Sequence, residues 1–184
     1  PAGRPLKKAP AWSAMNTAGA QWGCSWGLEV PLVFASGDFS ETPTLKRSNA
    51  FAIVAQECQA VREGVGLLDI SGFSRYEVSG PGAKNWLCRL MAGRLPAAGR
   101  ARLAPMLAPS GRLKGDLTVL NWGDGRWWVM GSYYLRNWHM RWFHDHRTEG
   151  VDVRDISDAV VGFGLAGPKS REVLAALTHQ DVNG

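Results

Sequence analysis

The stretch from about residue 101 to 130 constrains the fold more than any other part of the chain. Residues 101–107 have an extended pattern, and Pro109-Ser110-Gly111 is a turn signal. Residues 112–122 alternate as a strand, Gly123-Asp124-Gly125 is a tight turn, and Arg126 to Met130 completes the return. Turns this short cannot carry a crossover, so the three segments must pair antiparallel, as a meander.

The flanking sequence surrounds that meander with helices and further strands. Phe51, Val54, Cys58, Val61 and Val65 recur at steps of three and four, which predicts a helix capped by Ser48 or Asn49 and stopped at Gly64 and Gly66. Leu67 to Ile70 reads as a short buried strand. Phe73 to Val78 alternates, with Tyr76 and Val78 on one face and Arg75 and Glu77 on the other. Pro81 opens a second helix, with Ala83, Trp86, Leu87, Leu90 and Met91 as its apolar stripe. A third helix is predicted over about 134–147, with Leu135, Trp138, Trp142 and Phe143 inward. Two strands follow at Val151 to Ile156 and Val160 to Leu165. A last helix begins at Gly167-Pro168 and buries Val173, Leu174 and Leu177. Residues 1–48 read as mostly irregular, punctuated by Pro and Gly, yet Trp12, Trp22, Trp26 and Val33 mark an arm that packs on a surface. Hairpins without strict β-α-β crossovers predict the α+β class with a largely antiparallel sheet.

Composition excludes several function classes. No run approaches the ~20 apolar residues that span a bilayer, so no membrane partner is expected. The net charge of +5 admits an anionic partner, but Lys and Arg are scattered, which disfavours nucleic acid. The three cysteines, Cys24, Cys58 and Cys88, are far apart and form no C-x-x-C, so a reducing, cytoplasmic setting is expected. His144 and His146 fall on different sides of a helix, and no H-E-x-x-H occurs, so no metal site is expected. The nucleotide-loop signatures and G-x-S-x-G are absent.

One carboxylate stands out. Asp116 lies inside a strand, beside Gly115, and Asp is disfavoured there. Glycine within a strand marks a close approach of a ligand or of another backbone. The pattern leaves two readings open, a solvent-facing hairpin residue or a carboxylate at a pocket wall. The aromatic series Trp122, Trp127, Trp128, Tyr133, Tyr134, Trp138 and Trp142 likewise fits core packing, a docking surface or a pocket for a flat ring.

Four motifs in order resemble the glycine-cleavage T-protein superfamily of folate-binding aminomethyltransferases. They are Val61-Arg62-Glu63-Gly64-Val65-Gly66-Leu67-Leu68-Asp69-Ile70-Ser71, Val78-Ser79-Gly80-Pro81-Gly82-Ala83, Leu103 to Leu107 with Gly111 and Asp116-Leu117-Thr118-Val119, and Leu165-Ala166-Gly167-Pro168-Lys169-Ser170-Arg171. The arm, with Gly3-Arg4-Pro5-Leu6, Ala18 to Gly23, Trp26-Gly27-Leu28-Glu29-Val30-Pro31 and Arg47-Ser48-Asn49, resembles the segment that joins the flavin half to the folate half in dimethylglycine and sarcosine dehydrogenases.

That resemblance implies residues 1–48 as an arm to an upstream flavin half and 49–184 as the first part of a T-protein-like folate domain. The opening Pro1 also suggests a piece of a longer protein. It implies tetrahydrofolate as cofactor, FAD only in the upstream half, and a methylated amine as the substrate that reaches the chain through that half. The family's aspartate beside the attacking folate amine falls on Asp116. Leu103, Trp128, Met130 and Ser132 fall where the family lines the pterin site. Met130 and Ser132 replace a more usual Val and Asn, and Gly115 replaces a second acidic residue. The rival implied readings are a non-catalytic folate- or RNA-associated module and a docking domain of the same superfamily.

Overall fold

A computed structural model describes residues 3–182. Pro1, Ala2, Asn183 and Gly184, the outer ends of the two expected segments, lie outside the described residues. Two compact units emerge: Ser71–Val160 forms one, and the chain up to Ile70 and from Val161 forms the other.

The Ser71–Val160 unit is built on one sheet. Its strands are β4 (Phe73–Ser79), β5 (Arg100–Leu107), β6 (Leu113–Asn121), β7 (Trp127–Ser132) and β8 (Asp152–Asp155), and their spatial order is β5-β6-β7-β4-β8. Every neighbouring pair is antiparallel. The predicted meander is β5-β6-β7, and the Gly123–Gly125 turn joins its last two strands.

Alternation decides which face of this sheet is covered. Tyr76 and Val78 of β4, Ala104 and Met106 of β5, Leu117 and Val119 of β6, and Trp127 and Val129 of β7 point to one side and are buried. Helix α3 (Ala83–Leu90) closes that side with Ala83, Trp86, Leu87 and Leu90, the predicted stripe. Helix α4 (Arg136–Asp145), entered through a 3₁₀ turn at Tyr133–Leu135, closes it with His139 and Phe143. Of the residues predicted inward on α4, Phe143 is buried and Trp142 packs against the core, whereas Trp138 stays 42% exposed and His139, which was not predicted, is buried. The start of α4 is fixed by Arg136, which donates to Asp155 at 2.5 Å and pairs with Asp158 at 2.9 Å.

The other unit is different in kind. Helix α1 (Trp12–Thr17) and a hairpin of β1 (Ala20–Ser25) and β2 (Leu28–Phe34) occupy the arm that the sequence suggested was irregular. Trp26 and Gly27 turn the hairpin with φ of 51° and 87°, the left-handed pair that a tight two-residue turn requires. Arg4 donates to both oxygens of the buried Glu29 carboxylate, at 2.9 and 2.6 Å, and ties the segment before α1 to β2. The Arg4 hydrogen bonds hold the Glu29 carboxyl below its usual range.

Helix α2 (Phe51–Glu63) follows, then β3 (Gly66–Asp69), which pairs antiparallel with β9 (Phe163–Ala166), and last α5 (Ser170–Thr178). Ser48 accepts from the Ala50 backbone N–H at 3.2 Å, while Asn49 bonds back to Ser40 and Thr42. Neither α2 nor α5 has a buried residue. Leu67 and Leu68 are 66% and 64% exposed rather than forming a buried strand, and Leu174 and Leu177 are also exposed. These apolar side chains lack facing layers among the described residues, since two strands alone make only a ribbon.

Candidate functional site

The second face of the five-stranded sheet collects the sequence-predicted site residues. Odd and even positions alternate along β6, so Gly115, Leu117 and Val119 face the helices and Asp116 and Thr118 face away. Cross-strand register extends that face sideways. Leu103 opposes Thr118, Thr118 opposes Met130, and Met130 opposes Arg75, which makes one line across four strands. Trp128 lies between Leu120 and Glu77, Asp116 opposes Pro105, and Ser132 opposes Phe73. Leu103, Asp116, Trp128, Met130 and Ser132 thus share one face. Asp116 is the diagonal neighbour of Met130, a separation of about 7–8 Å between such positions.

These side chains differ in what they offer. Leu103 is 69% exposed and presents bare apolar surface; Trp128, Met130 and Ser132 are half-buried. The Asp116 carboxylate is exposed and has no hydrogen-bond or ion-pair partner among the described residues, so its acceptor capacity is free. The Trp128 indole N–H, by contrast, is committed, since it donates to Glu77 Oε2 at 3.3 Å. Glu77 also accepts from Arg154. The Arg154 hydrogen bond, with help from Trp128 and Arg126, holds the Glu77 carboxyl below its usual range against the cost of its burial. Trp128 is therefore oriented by its edge and keeps its ring for contact. Trp122 meets it edge-on, at 5.1 Å between centroids.

Sequence reasoning did not single out Phe73, Thr118 and Leu120 as site residues, although they share this face. Their register partners supply the signal: each opposes or flanks a predicted site residue. The aromatic series does not line one pocket. Trp127 joins the core, Trp128 the open face, and Trp138 and Trp142 belong to α4. Among the described residues, no group of His, Cys, Asp and Glu is placed to hold a metal ion.

Gly115 resolves one expectation about the site. It lies on the helix face, where a Cβ would come within 3.0 Å of His139 Nε2. The missing second carboxylate would thus have pointed away from Asp116 and into a buried histidine. A close approach does occur at this glycine, but it is made by the His139 side chain and not by a ligand or another backbone.

The Ser71–Val160 unit thus has an antiparallel sheet with two helices on one face and a mixed polar and apolar opposite face. The crystal structure of glycine cleavage system aminomethyltransferase T from Bartonella henselae has the same fold, with a TM-score of 0.76 at 22% identity over 93% of this chain and 43% of that one. The chain belongs to the GCVT N-terminal domain family, whose match spans residues 11–184. Mitochondrial dimethylglycine dehydrogenase of Rattus norvegicus is 29% identical over 99% of this chain and 22% of its own length. An aminomethyltransferase of Bacillus subtilis is 27% identical over 97% of this chain and 45% of its own length. The chain therefore spans less than half the length of these relatives. It is an aminomethyltransferase-like domain related to dimethylglycine dehydrogenase.

Proposed function

We propose that this chain is the folate-binding part of an FAD-dependent dehydrogenase of N-methylglycines such as dimethylglycine or sarcosine, with the open sheet face as its pterin-binding surface. The observation that carries this reading is the gathering of Leu103, Asp116, Trp128, Met130 and Ser132 from three strands onto one face, with a free carboxylate among apolar neighbours. That donor set suits a flat heterocycle bearing N–H groups: Leu103, Met130 and the Trp128 ring offer apolar contact, and Asp116 accepts hydrogen bonds. Ser132 has a hydroxyl that both donates and accepts. Bound tetrahydrofolate supplies the amine nucleophile that takes up a one-carbon unit from the oxidised N-methyl amine.

The chain's own residues then have distinct tasks. Leu103, Met130 and Trp128 exclude water from the ring. The Asp116 carboxylate orients the nitrogen and accepts a proton at its oxygen as that nitrogen is consumed. The flavin chemistry belongs to a separate half of the protein.

The test uses the full-length gene product and follows two readouts with dimethylglycine or sarcosine as substrate. Asp116→Asn keeps the size of the side chain but removes its basicity. Flavin reduction is expected to persist while folate-coupled capture falls by about 10²-fold or more. Undiminished coupling in Asp116→Asn would refute the role given to Asp116.

A further inference from the structure

The helix behind the sheet does more at Asp116 than fill the core. The β6–β7 ladder runs from Asn121 opposite Trp127 to Thr118 opposite Met130 and stops there, two residues short of Asp116. Only β5 continues beside Asp116, and even that pairing slips at once. Met106 opposes Gly115, but Leu107 opposes Leu113, so Lys114 is an extra residue in a bulge. Bulges of this sort re-aim a side chain and loosen the ladder around it.

Helix α4 grips the loosened segment from the reverse face. Lys114 Nζ sits 4.7 Å from the ring centroids of both Trp138 and Trp142. The Trp138 indole N–H donates to the Lys114 carbonyl at 3.4 Å. The next residue on α4, His139, lies in a notch that two glycines leave open. A Cβ on Gly115 would meet His139 Nε2 at 3.0 Å, and one on Gly131 would meet His139 Cε1 at 3.1 Å. The imidazole is 1% exposed, and its Nδ1 is 3.0 Å from the Tyr76 hydroxyl. Nε2 has no hydrogen-bond partner among the described residues. One helix thus touches Lys114 and Gly115 on β6 and Gly131 on β7, just where those two strands cease to pair.

From this we infer that Trp138 and His139 are positioning residues for Asp116, fixing its carboxylate by clamping Lys114–Gly115 and Gly131 from behind. The inference rests on the folate reading for its functional consequence, though not for its structural content. Trp138 acts through the Lys114 bulge, and His139 acts as the spacer that keeps β6 and β7 apart.

Two measurements separate the parts. The first is amide hydrogen exchange across residues 113–117, with 119–121 as the internal reference, in wild type, Lys114→Met and Trp138→Phe. Both variants keep bulk at exposed or half-exposed positions. Exchange at 113–117 should accelerate about tenfold while 119–121 stays unchanged. Unchanged exchange at 113–117 in both folded variants would overturn the clamp, whatever the ligand. The second is a double-mutant cycle on tetrahydrofolate binding in the full-length protein. Trp138→Phe should weaken binding about three- to tenfold when Asp116 is present and have no further effect in an Asp116→Ala background. Additive losses would mean that Trp138 acts otherwise than through Asp116, and would also overturn the proposal. Binding indifferent to Asp116→Ala, beside accelerated exchange, would sink the folate reading and leave the clamp standing.

Discussion

The two faces of the five-stranded sheet use the same strands for opposite purposes. On the helix face, Tyr76, Met106, Leu117, Val119 and Val129 are wholly buried beneath α3 and α4. On the other, positions displaced by one residue carry Leu103, Asp116, Thr118, Trp128 and Met130, whose side chains remain open or half-open. A strand with period-two alternation thus commits one set of residues to the core and leaves the other set free for the proposed ligand. The practical lesson is a dissociation: substitutions in the covered core should cost stability and those on the open face should cost ligand, with the contact of α4 on Lys114 as the place where the two meet.

Removing the Phe143 side chain tests the covered face hardest. Its ring contacts Tyr76 and Trp86 edge-on, at 5.1 and 5.7 Å between centroids. Phe143→Ala should lose about 3–5 kcal/mol in denaturant unfolding. A loss under about 1 kcal/mol would mean that this face is not the core of the unit.

Acid should act on the covered face through His139. Burial pushes its pKa down from 6.5 to about 4, so the folded protein holds the imidazole neutral. The unfolded chain takes up the proton first as pH falls. Stability is therefore full above pH 6.5, declines as pH drops toward 4, and has lost on the order of 2–3 kcal/mol at the bottom of that window. His139→Gln cannot titrate there, and its stability should have a shallower pH dependence between 6.5 and 4. An identical slope in both proteins would contradict the assignment.

Overfilling comes next in size. A Cβ on Gly131 would meet Leu117 Cδ2 at 2.5 Å and His139 Cε1 at 3.1 Å. Gly131→Val should cost about 1–3 kcal/mol. The smallest stability effect belongs to the open face: Leu103→Ser should change stability by no more than about 0.5 kcal/mol while weakening the ligand. A large loss of stability there would erase the distinction between the faces.

Much of this arrangement was legible in the sequence. The meander, the α3 stripe and the split of Tyr76 and Val78 from Arg75 and Glu77 all follow from periodicity and turn residues. The arm was not legible, because its hairpin turns on Trp26-Gly27 rather than on a familiar Asn-Gly pair. Pro31 also interrupts β2 opposite Trp22, where the register shifts. Periodicity also overstated burial in α2, β3 and α5. Apolar spacing says which face seeks a partner, not whether one is present; Phe51, Leu67 and Leu177 remain exposed. At the site, motif resemblance singled out Asp116, Leu103, Trp128, Met130 and Ser132, and strand register brings them to one face. The bulge at Lys114 and the notch filled by His139 could not be read beforehand, since both depend on how distant segments pack.

The most direct test of the central claim is tetrahydrofolate binding by calorimetry, under reducing and anaerobic conditions, on the full-length protein, its Asp116→Ala variant and a Gly131→Val variant that remains folded at the assay temperature. The account predicts binding by wild type, weakening by about tenfold or more (~1.4 kcal/mol) in Asp116→Ala with an unchanged melting temperature, and a lowered melting temperature in Gly131→Val. Well-folded wild type that binds no tetrahydrofolate, or binding untouched by Asp116→Ala, would contradict the assignment of the open face as the pterin surface.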